Sequence, residues 1–298
     1  MKLLKEIEAR SIKIKVVPVE MLKDIKADIT RLKGNEELNG FQQWIVNEGY
    51  VLELPDPEPD FTAKSIIIAA MPFNLVRAVF NHGGKKAEHI FELSQDGADE
   101  FINGAFSAHG YKLQEIGWFP QKRFAVRSGL AEYGRNNIAY VDGMGSFFGI
   151  ATYKSDMPCD EYTWRDVQNM DSCNDCRRCI ENCPTGAILP DRFLIDIEKC
   201  LTAHNERGSE PFPDWIPKTA HHRLIGCYKC QDICPKNQDI LNKINETIEF
   251  SEEETGLLLS GEPIENMPET LADKVHKYGM GHYYESVPRN LSAMFESN

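Results

Sequence analysis

The amino-terminal part of the chain orders its hydrophobic and polar positions in patterns that predict helices and strands in turn. After a first helix, residues 14–19 predict a short strand and residues 19–32 a second helix. Residues 65–71 are apolar without interruption over the length of a strand, and they end at Pro72. This segment predicts a buried core strand.

Three further patterns follow. Apolar residues recur at helical spacing between residues 96 and 109, with Asp99, Glu100 and Asn103 on the other face, which predicts an amphipathic helix. Residues 124–130 predict one or two helical turns, and residues 133–137 a turn. Residues 138–141 and 147–153 predict a β-hairpin around residues 142–145.

The cysteine content and the periodicity of apolar residues then change along the chain. These changes predict three domains within an α+β fold. Residues 1–160 form an α/β domain for a cofactor or substrate. Residues 161–245 carry eight cysteines and little periodicity, so they predict a small domain organised by metal. Residues 246–298 begin with an acidic stretch, predicted as a partly mobile linker, and end in a segment that docks on the body.

Composition and charge restrict the class of protein. Hydrophobic residues make up 42% of the 298 residues, as in an average globular protein. The net charge is −13, but residues 246–273 hold nine acids and no Lys or Arg, which leaves −4 for the rest of the chain. A local basic face therefore remains compatible with the sequence.

The chain has no sequence feature that predicts a membrane location. Its longest apolar run, residues 66–73, is far shorter than the ~20 residues that span a bilayer. The amino terminus carries charges every few residues and no apolar signal core. We therefore expect a cytoplasmic protein, whose clustered cysteines bind metal rather than form disulfides.

One cysteine run matches C-x2-C-x2-C-x3-C-P without deviation. In bacterial ferredoxins, three cysteines of this run bind one 4Fe-4S cluster and the fourth binds the other cluster. A second run, Cys227, Cys230, Cys234 and Pro235, has Leu224 at the position of its first cysteine. Cys200 is the candidate for the displaced ligand. The predicted ligand sets are Cys173, Cys176, Cys179 and Cys234 for one cluster, and Cys183, Cys200, Cys227 and Cys230 for the other.

Several alternatives accompany this interpretation. Paired cysteines also bind zinc, although zinc sites do not need the third cysteine or the Cys-Pro step. Cys159 is expected to be an inert thiol, because nothing near it in the sequence supplies an activating base. His204, His221 and His222 are expected to bond to backbone or cluster sulfur rather than ligate. Residues 82–86 (HGGKK) suit a phosphate site weakly and a solvated turn better.

Three segments before the cysteines resemble the epoxyqueuosine reductase family. They are residues 122–130 (KRFAVRSGL), residues 133–136 (YGRN) and residues 145–149 (GSFFG). The family shows an R-A-GLG-x-x-GKN turn and a GSW/F-F-LGE strand just before a double ferredoxin motif with the same displaced cysteine. Residues 289–291 (RNL) resemble its carboxy-terminal signature. The resemblance covers about residues 65–237 and that last patch.

This resemblance implies a nitroreductase-like α/β domain followed by the double ferredoxin domain, with cobalamin held between them. Reductive dehalogenases are similar in this layout. The clusters would reduce the cobalt for reductive cleavage of a carbon–heteroatom bond. The implied partners are a flavodoxin- or ferredoxin-like electron donor and either a tRNA nucleoside or a small-molecule substrate. The implied cobalamin contacts are Arg135, Asn136, Gly145, Ser146 and Phe147.

The resemblance also bears on proton supply and on tRNA binding. Glu115 lies near the position of the family's aspartate acid, and burial beside Trp118 and Phe119 would keep its carboxyl protonated. The alternative is a surface glutamate. If tRNA is the substrate, the candidate basic contacts are Lys122, Arg123, Arg127 and Arg223.

Three functions follow, from different classes. The first is a cobalamin-dependent iron-sulfur reductase, with Glu115 as the catalytic acid. The second is a ferredoxin-type electron-transfer protein whose α/β part docks a partner. The third is a corrinoid-binding or reactivating protein without a substrate of its own.

Overall fold

The strand predicted at residues 65–71 lies inside a four-stranded sheet in the computed structural model, which describes residues 2–54, 61–191, 194–244 and 246–297. Helices and strands alternate irregularly, so the fold is of the predicted α+β class. The chain forms two compact units. Unit 1 comprises Met1–Phe73 and Ser94–Cys176 with a short segment ending at Leu194, and unit 2 comprises Asn74–Leu93, Arg177–Asp191 and Ile195–Asn298.

The regular elements are short and numerous. The strands are β1 (Lys13–Pro18), β2 (Ser65–Pro72), β3 (Asn74–His82), β4 (Lys85–Leu93), β5 (Leu113–Glu115), β6 (Glu132–Tyr133), β7 (Ala139–Tyr140), β8 (Phe148–Ser155) and β9 (Glu246–Phe250). The helices are α1 (Lys2–Glu8), α2 (Leu22–Lys33), α3 (Gly40–Trp44), α4 (Ala98–Ala108), α5 (Gln121–Arg127), α6 (Arg178–Glu181), α7 (Leu201–Asn205), α8 (Lys229–Asp232), α9 (Gln238–Leu241), α10 (Glu252–Ser260), α11 (Glu269–Lys277) and α12 (Val287–Ser297). Across the described ranges, no helix has the length and apolar character needed to cross a bilayer.

The sheet of unit 1 has the strand order β1-β2-β8-β5, and every pairing is antiparallel. Ile66 and Ile68 of β2 pack into one core with α2 and α5. Ile67, on the opposite face, packs into a second core with α1 and α4. Because helices cover both faces, β2 is apolar without alternation, as predicted.

The predicted hairpin at residues 138–153 is wrong in its pairing. Strand β8 pairs with β2 from Phe148 opposite Pro72 to Ser155 opposite Ser65, whereas β7 pairs with β6. The single bridge between Val141 and Gly145 closes the turn between the two predicted arms and does not pair the arms with each other. Pairing with β2 extends over eight residue pairs and forms a longer hydrogen-bonded ladder than a four-residue arm could.

Unit 2 is built on a hairpin that the sequence analysis did not predict. Strands β3 and β4 pair over residues 74–93, and β9 adds to β3 in parallel. Phe80 and Phe250 stack in its core with ring centroids 4.4 Å apart. The apolar alternation at Val76, Ala78 and Phe80 was the available signal.

The acidic stretch after residue 245 is not a linker. It forms β9 and α10, and α10 begins with a capping box in which Ser251 accepts from the Glu254 N–H at 3.1 Å and Glu254 accepts from the Ser251 N–H at 2.8 Å. Glu252, Glu253 and Glu254 lie in the first turn, where acidic side chains stabilise the positive end of the helix. The last segment packs into unit 2, with Leu271 and Leu291 fully buried.

Candidate functional site

Arg135 holds the backbone of the first cysteine segment within unit 1. Its guanidinium donates to the Cys173 carbonyl at 2.9 Å and to the Asn174 carbonyl at 3.3 Å, and only 9% of the residue is exposed. Two residues earlier, the Tyr133 carbonyl accepts from the Met170 N–H at 2.8 Å. The turn at residues 133–136 therefore fixes the chain where the cysteine run begins.

Three cysteines of unit 2, Cys183, Cys200 and Cys227, lie close enough to interact electrostatically. Burial raises the pKa of Cys227 to about 12, and the nearby Cys200 and Cys183 raise it as well. Burial also raises the pKa of the Cys200 thiol, with a further contribution from Cys183. Among the described residues, no three Cys, His, Asp or Glu side chains are grouped closely enough for a single metal ion. The raised pKa values favour the neutral thiols, so these cysteines would become thiolates only on binding a cationic group such as the iron of a cluster.

Hydrogen-bond donors reach each of these three sulfurs. The Ala187 N–H donates to the Cys183 Sγ at 3.3 Å. Cys200 precedes α7, and N–H groups of the first turn of that helix donate to its sulfur. The Lys229 N–H donates to Cys227. Such donors stabilise anionic sulfur and adjust the reduction potential of a cluster.

Leu224 stands where the second run lacks a cysteine, and the structure gives the reason. The residue is fully buried in the core of unit 2. Its N–H donates to the Nδ1 of His89 at 3.3 Å. Burial lowers the pKa of His89 well below its ordinary value, so the neutral ring accepts this bond. A cysteine at this position would place a thiolate in an apolar core, which is unfavourable.

The carboxy-terminal helix α12 ties the cluster-bearing loops together. Arg289 donates to the His204 carbonyl at 2.8 Å. Asn290 donates to the carbonyls of Asn205 and Leu224, each at 2.8 Å. These bonds link α12 to α7, which follows Cys200, and to the loop that leads to Cys227. The family-like residues 289–291 thus have a structural role in this chain.

Asn290→Ala tests this role. The substitution leaves two buried carbonyls without their donor, and one such unpaired group costs ~1–3 kcal/mol. We expect the free energy of unfolding, measured by anaerobic denaturant titration of the metal-loaded protein, to fall by at least that amount. Asn242→Ala, at an exposed position, should leave the midpoint unchanged. Equal midpoints for both variants would contradict the role.

The histidines of this region contact the protein itself. His204 Nε2 and His222 Nδ1 each lie 2.8 Å from a backbone carbonyl. His221 is buried against Phe212, with ring centroids 4.2 Å apart. These contacts favour thiolate ligands over imidazole ligands.

The HGGKK turn at residues 82–86 docks on the carboxy-terminal helices. The Gly83 N–H donates to the Glu252 carboxylate at 2.7 Å. Lys85 donates to the Phe295 carbonyl at 3.1 Å. The Gly83 N–H and the Lys85 ammonium, which a phosphate would need, already bond to other protein groups. This favours a structural role for the turn.

The residues implied for cobalamin binding are engaged within unit 1. Asn136 donates to the Tyr140 hydroxyl at 3.0 Å. Gly145 has φ +56° and accepts from the Val141 N–H at 2.9 Å. Phe147 is buried and Ser146 is half-buried. Arg135 bonds to the cysteine segment, and the other residues stabilise local turns, so their contacts are structural.

A pocket of about 730 Å³ lies beside that turn, within unit 1. Strand β1 and the residues before it line one side, and residues 129–130 and 142–144 line the other. Its walls combine apolar residues such as Ile12, Leu130 and Met144 with two lysines and two acids. The charged residues are Lys13, Lys15, Glu8 and Asp142, and Lys13 pairs with Asp142 at 3.4 Å. This volume is typical of small-molecule sites. The pocket fits part of a large cofactor such as cobalamin, whereas the five implied residues do not supply free polar contacts.

The expected burial of Glu115 is wrong. Glu115 lies exposed at the end of β5, an edge strand, opposite Tyr153. Trp118 is 63% exposed and has φ +52°, and only Phe119 of the two expected neighbours is buried. The enclosed environment expected for a catalytic acid is not formed around Glu115.

The candidate basic contacts for tRNA are largely engaged. Arg127 donates to both carboxylate oxygens of Asp28, at 2.7 and 2.8 Å, and both residues are buried. Arg123 lies 3.9 Å from the same carboxylate. Arg223 pairs with Asp232 in unit 2. Lys122 alone is exposed, so the predicted basic patch is not present as such.

Cys159 has the surroundings of an inert thiol. Burial raises the pKa of this thiol, and Asp160 raises it further. Its sulfur lies 3.5 Å from the Val16 carbonyl. The thiolate form needed for reactivity is therefore disfavoured.

Comparison with known proteins decides the nature of the cysteine region. Residues 172–237 match the family model of the 4Fe-4S double cluster binding domain, so the region binds iron-sulfur clusters rather than zinc. The epoxyqueuosine reductase of Cyclobacterium marinum is 33% identical over 130 residues, which are 44% of this chain and 41% of that protein. Over these residues the chain is similar to the epoxyqueuosine reductases. It spans about two fifths of the length of the first curated relatives that it matches.

Solved epoxyqueuosine reductases share the fold. The protein from Bacillus subtilis superposes with a TM-score of 0.62 at 17% identity, over 99% of this chain and 80% of that chain. An epoxyqueuosine reductase solved with an epoxyqueuosine-modified tRNA-Tyr stem loop gives a TM-score of 0.59 at 19% identity, over the same shares.

The sequence analysis missed a group of polar side chains in unit 2. Glu92, Glu206, Tyr228, Arg223 and Asp232 interact with one another there. The only signal was the tyrosine of the C-Y-K-C run, since the two glutamates come from distant segments. Their proximity is a product of the β3–β4 hairpin.

Proposed function

We propose that this protein is an iron-sulfur reductase that passes electrons through two 4Fe-4S clusters to a bound cobalamin, for reduction of a modified tRNA nucleoside. The observation that carries the proposal is the neighbourhood of Cys183, Cys200 and Cys227, with N–H donors at all three sulfurs. It lies within a double-cluster domain of a chain related to epoxyqueuosine reductases.

The eight predicted cysteines are the proposed ligands. Cys183, Cys200 and Cys227 have the structural support given above, and Cys230 completes their set on sequence order. The second set, Cys173, Cys176, Cys179 and Cys234, is proposed on sequence order alone. We also propose a cytoplasmic location, since free thiols in this number persist in a reducing compartment, and a flavodoxin- or ferredoxin-like electron donor.

Cobalamin, when bound, supplies a strongly reducing metal centre for cleavage of a carbon–oxygen bond. The proposed site for part of the cofactor is the pocket between β1 and residues 142–144. There Lys15 can neutralise an anionic group, since Lys13 is already paired with Asp142 at 3.4 Å, and Ile12 and Met144 supply apolar contact. Glu115 remains the proposed proton donor on its sequence position alone.

The proposed substrate is epoxyqueuosine in tRNA, as in the names of the relatives. Reduction of an epoxide to an alkene consumes two electrons and two protons and releases water. Anaerobic incubation of the reconstituted protein with cobalamin, a low-potential reductant and epoxyqueuosine-containing tRNA should yield a nucleoside lighter by one oxygen atom, detected by mass spectrometry. Cys200→Ser is the matched control. Unchanged tRNA with a fully loaded wild-type protein would contradict the substrate.

A corrinoid-binding or electron-transfer protein is the second candidate, and the exposure of Glu115 favours it. Hydroxocobalamin added anaerobically to the reconstituted protein separates the candidates. A base-off visible spectrum supports a corrinoid site. An unchanged spectrum leaves an electron-transfer protein.

A further inference from the structure

Tyr228 occupies an unusual position between Cys227 and Cys230, two proposed ligands of the second cluster. Its φ is +55°, a left-handed conformation that a bulky residue keeps only where its surroundings hold it. Gly226 makes room for it, because a side chain at that position would lie 2.6 Å from the tyrosine ring. The Tyr228 hydroxyl bonds to the carboxyl of Glu92 on β4. The structure thus places a carboxyl group at the back of the cluster loop.

Further charged groups surround this pair. Arg223 lies over the Tyr228 ring, with 6.0 Å between its guanidinium carbon and the ring centroid. It also donates to both carboxylate oxygens of Asp232, at 3.1 and 3.0 Å. Glu206 acts electrostatically on both Glu92 and Tyr228. The group therefore contains three acids and one permanent cation, contributed by β4, the segment after α7, the cluster loop and α8.

Two members of this group, Glu92 and Glu206, have a pKa near neutral pH. Burial raises the pKa of Glu92 to about 7, against the hydrogen bond from Tyr228 and the charge of Arg223. Burial raises the pKa of Glu206 to about 7 as well.

The neighbouring side chains keep one form at that pH. Burial lowers the pKa of His222 to about 4, and it lowers the pKa of His89 well below the usual value, so both rings are neutral. Burial raises the pKa of Tyr228 well above its usual value, so its hydroxyl stays protonated.

We propose that Glu92 and Glu206 form a proton-accepting site for the second cluster, such that one of the two carboxylates binds a proton when that cluster takes up an electron. The electron comes from the external donor and the proton from solvent, and no covalent bond other than the new O–H bond is formed. The inference rests on the proposed ligand set Cys183, Cys200, Cys227 and Cys230.

The physical reason is the cost of adding negative charge to a poorly solvated region. Reduction adds one unit of negative charge beside Tyr228, and like charges disfavour one another most strongly away from water. A carboxylate that is already close to protonation relieves the repulsion by binding a proton. Acidification therefore favours reduction, and the midpoint potential of the second cluster rises as pH falls.

The test is an anaerobic redox titration followed by electron paramagnetic resonance at pH 6, 7 and 8. For a one-electron couple, each tenfold fall in proton concentration should lower the midpoint potential of one cluster by up to ~59 mV. Glu92→Gln and Glu206→Gln should each reduce this dependence, and the double variant should abolish it. Glu88→Gln, also on β4 but exposed beside Arg77, should retain the wild-type dependence.

Two controls separate this inference from the proposed function. Iron analysis comes first, since a chain that does not bind two clusters fails the proposed function itself. In Cys200→Ser, the pH-dependent signal should disappear and the other cluster should remain. With both clusters present, a midpoint potential that does not vary with pH would overturn the inference. The same holds for a dependence that survives in the double variant.

Discussion

Cys200→Ser is expected to halve the iron content of the reconstituted protein. Two cubanes contain about eight iron atoms per chain, so about four should remain. Cys200 lies beside Cys183 and Cys227, and the donors in the first turn of α7 act on its sulfur. A serine oxygen at this position would be a poor substitute for the thiolate. Iron and sulfide analysis after anaerobic reconstitution gives the measurement.

Cys159→Ser is the matched control, because Cys159 is a free thiol outside both ligand sets. It should leave the iron content at the wild-type value. Full iron content in Cys200→Ser would mean that another residue is the displaced ligand. A loss of both clusters would mean that the second cluster is required for the first.

Asp28→Asn is expected to destabilise unit 1 more than any exposed substitution. Asp28 on α2 is buried and accepts two hydrogen bonds from the buried Arg127 on α5. The amide would leave the arginine charge uncompensated in a buried site, which costs ~3–5 kcal/mol. Asp166→Asn is the control, since this exposed carboxylate lies 3.7 Å from the same arginine. Anaerobic denaturant unfolding should show a large shift for the first variant and almost none for the second.

The same pair predicts a dependence on pH. Burial acts to raise the pKa of Asp28, but the hydrogen bond from Arg127 and the charges of Arg123 and Arg127 lower it below its ordinary value. Because the folded pKa is the lower one, the stabilisation is complete above the unfolded value of ~3.9. It is lost as pH falls through the folded value. The stability difference between wild type and Asp28→Asn should therefore be constant near neutrality and shrink below pH ~4.

Sequence patterns predicted well those elements whose apolar residues follow a continuous run or a helical period. The strand at residues 65–71 and the helix at residues 98–108 have the expected type and nearly the expected bounds. The predicted hairpin failed because partner choice in a sheet depends on distant strands, as the pairing of β8 with β2 shows. The prediction of a linker at the acidic stretch failed because Ser251 caps α10 there, and acidic side chains in the first turn stabilise the helix.

The candidate site also combines features that local sequence predicts with features that depend on distant segments. The order of the cysteines predicts a double-cluster domain, since spacing alone carries that information. The surroundings of Glu115 could not be predicted, because they depend on the place of β5 at the edge of the sheet, which long-range strand pairing decides. Likewise, Glu92 and Glu206 are 114 positions apart in the sequence, and only the fold of unit 2 brings both near Tyr228.

The central claim is that this chain binds two 4Fe-4S clusters. Mössbauer spectroscopy of the wild-type protein, reconstituted anaerobically with labelled iron and combined with sulfide analysis, tests it most directly. The account predicts about eight iron and eight sulfide per chain, with all iron in the cubane signal. A content near four of each, or iron that cubanes do not account for, would contradict it.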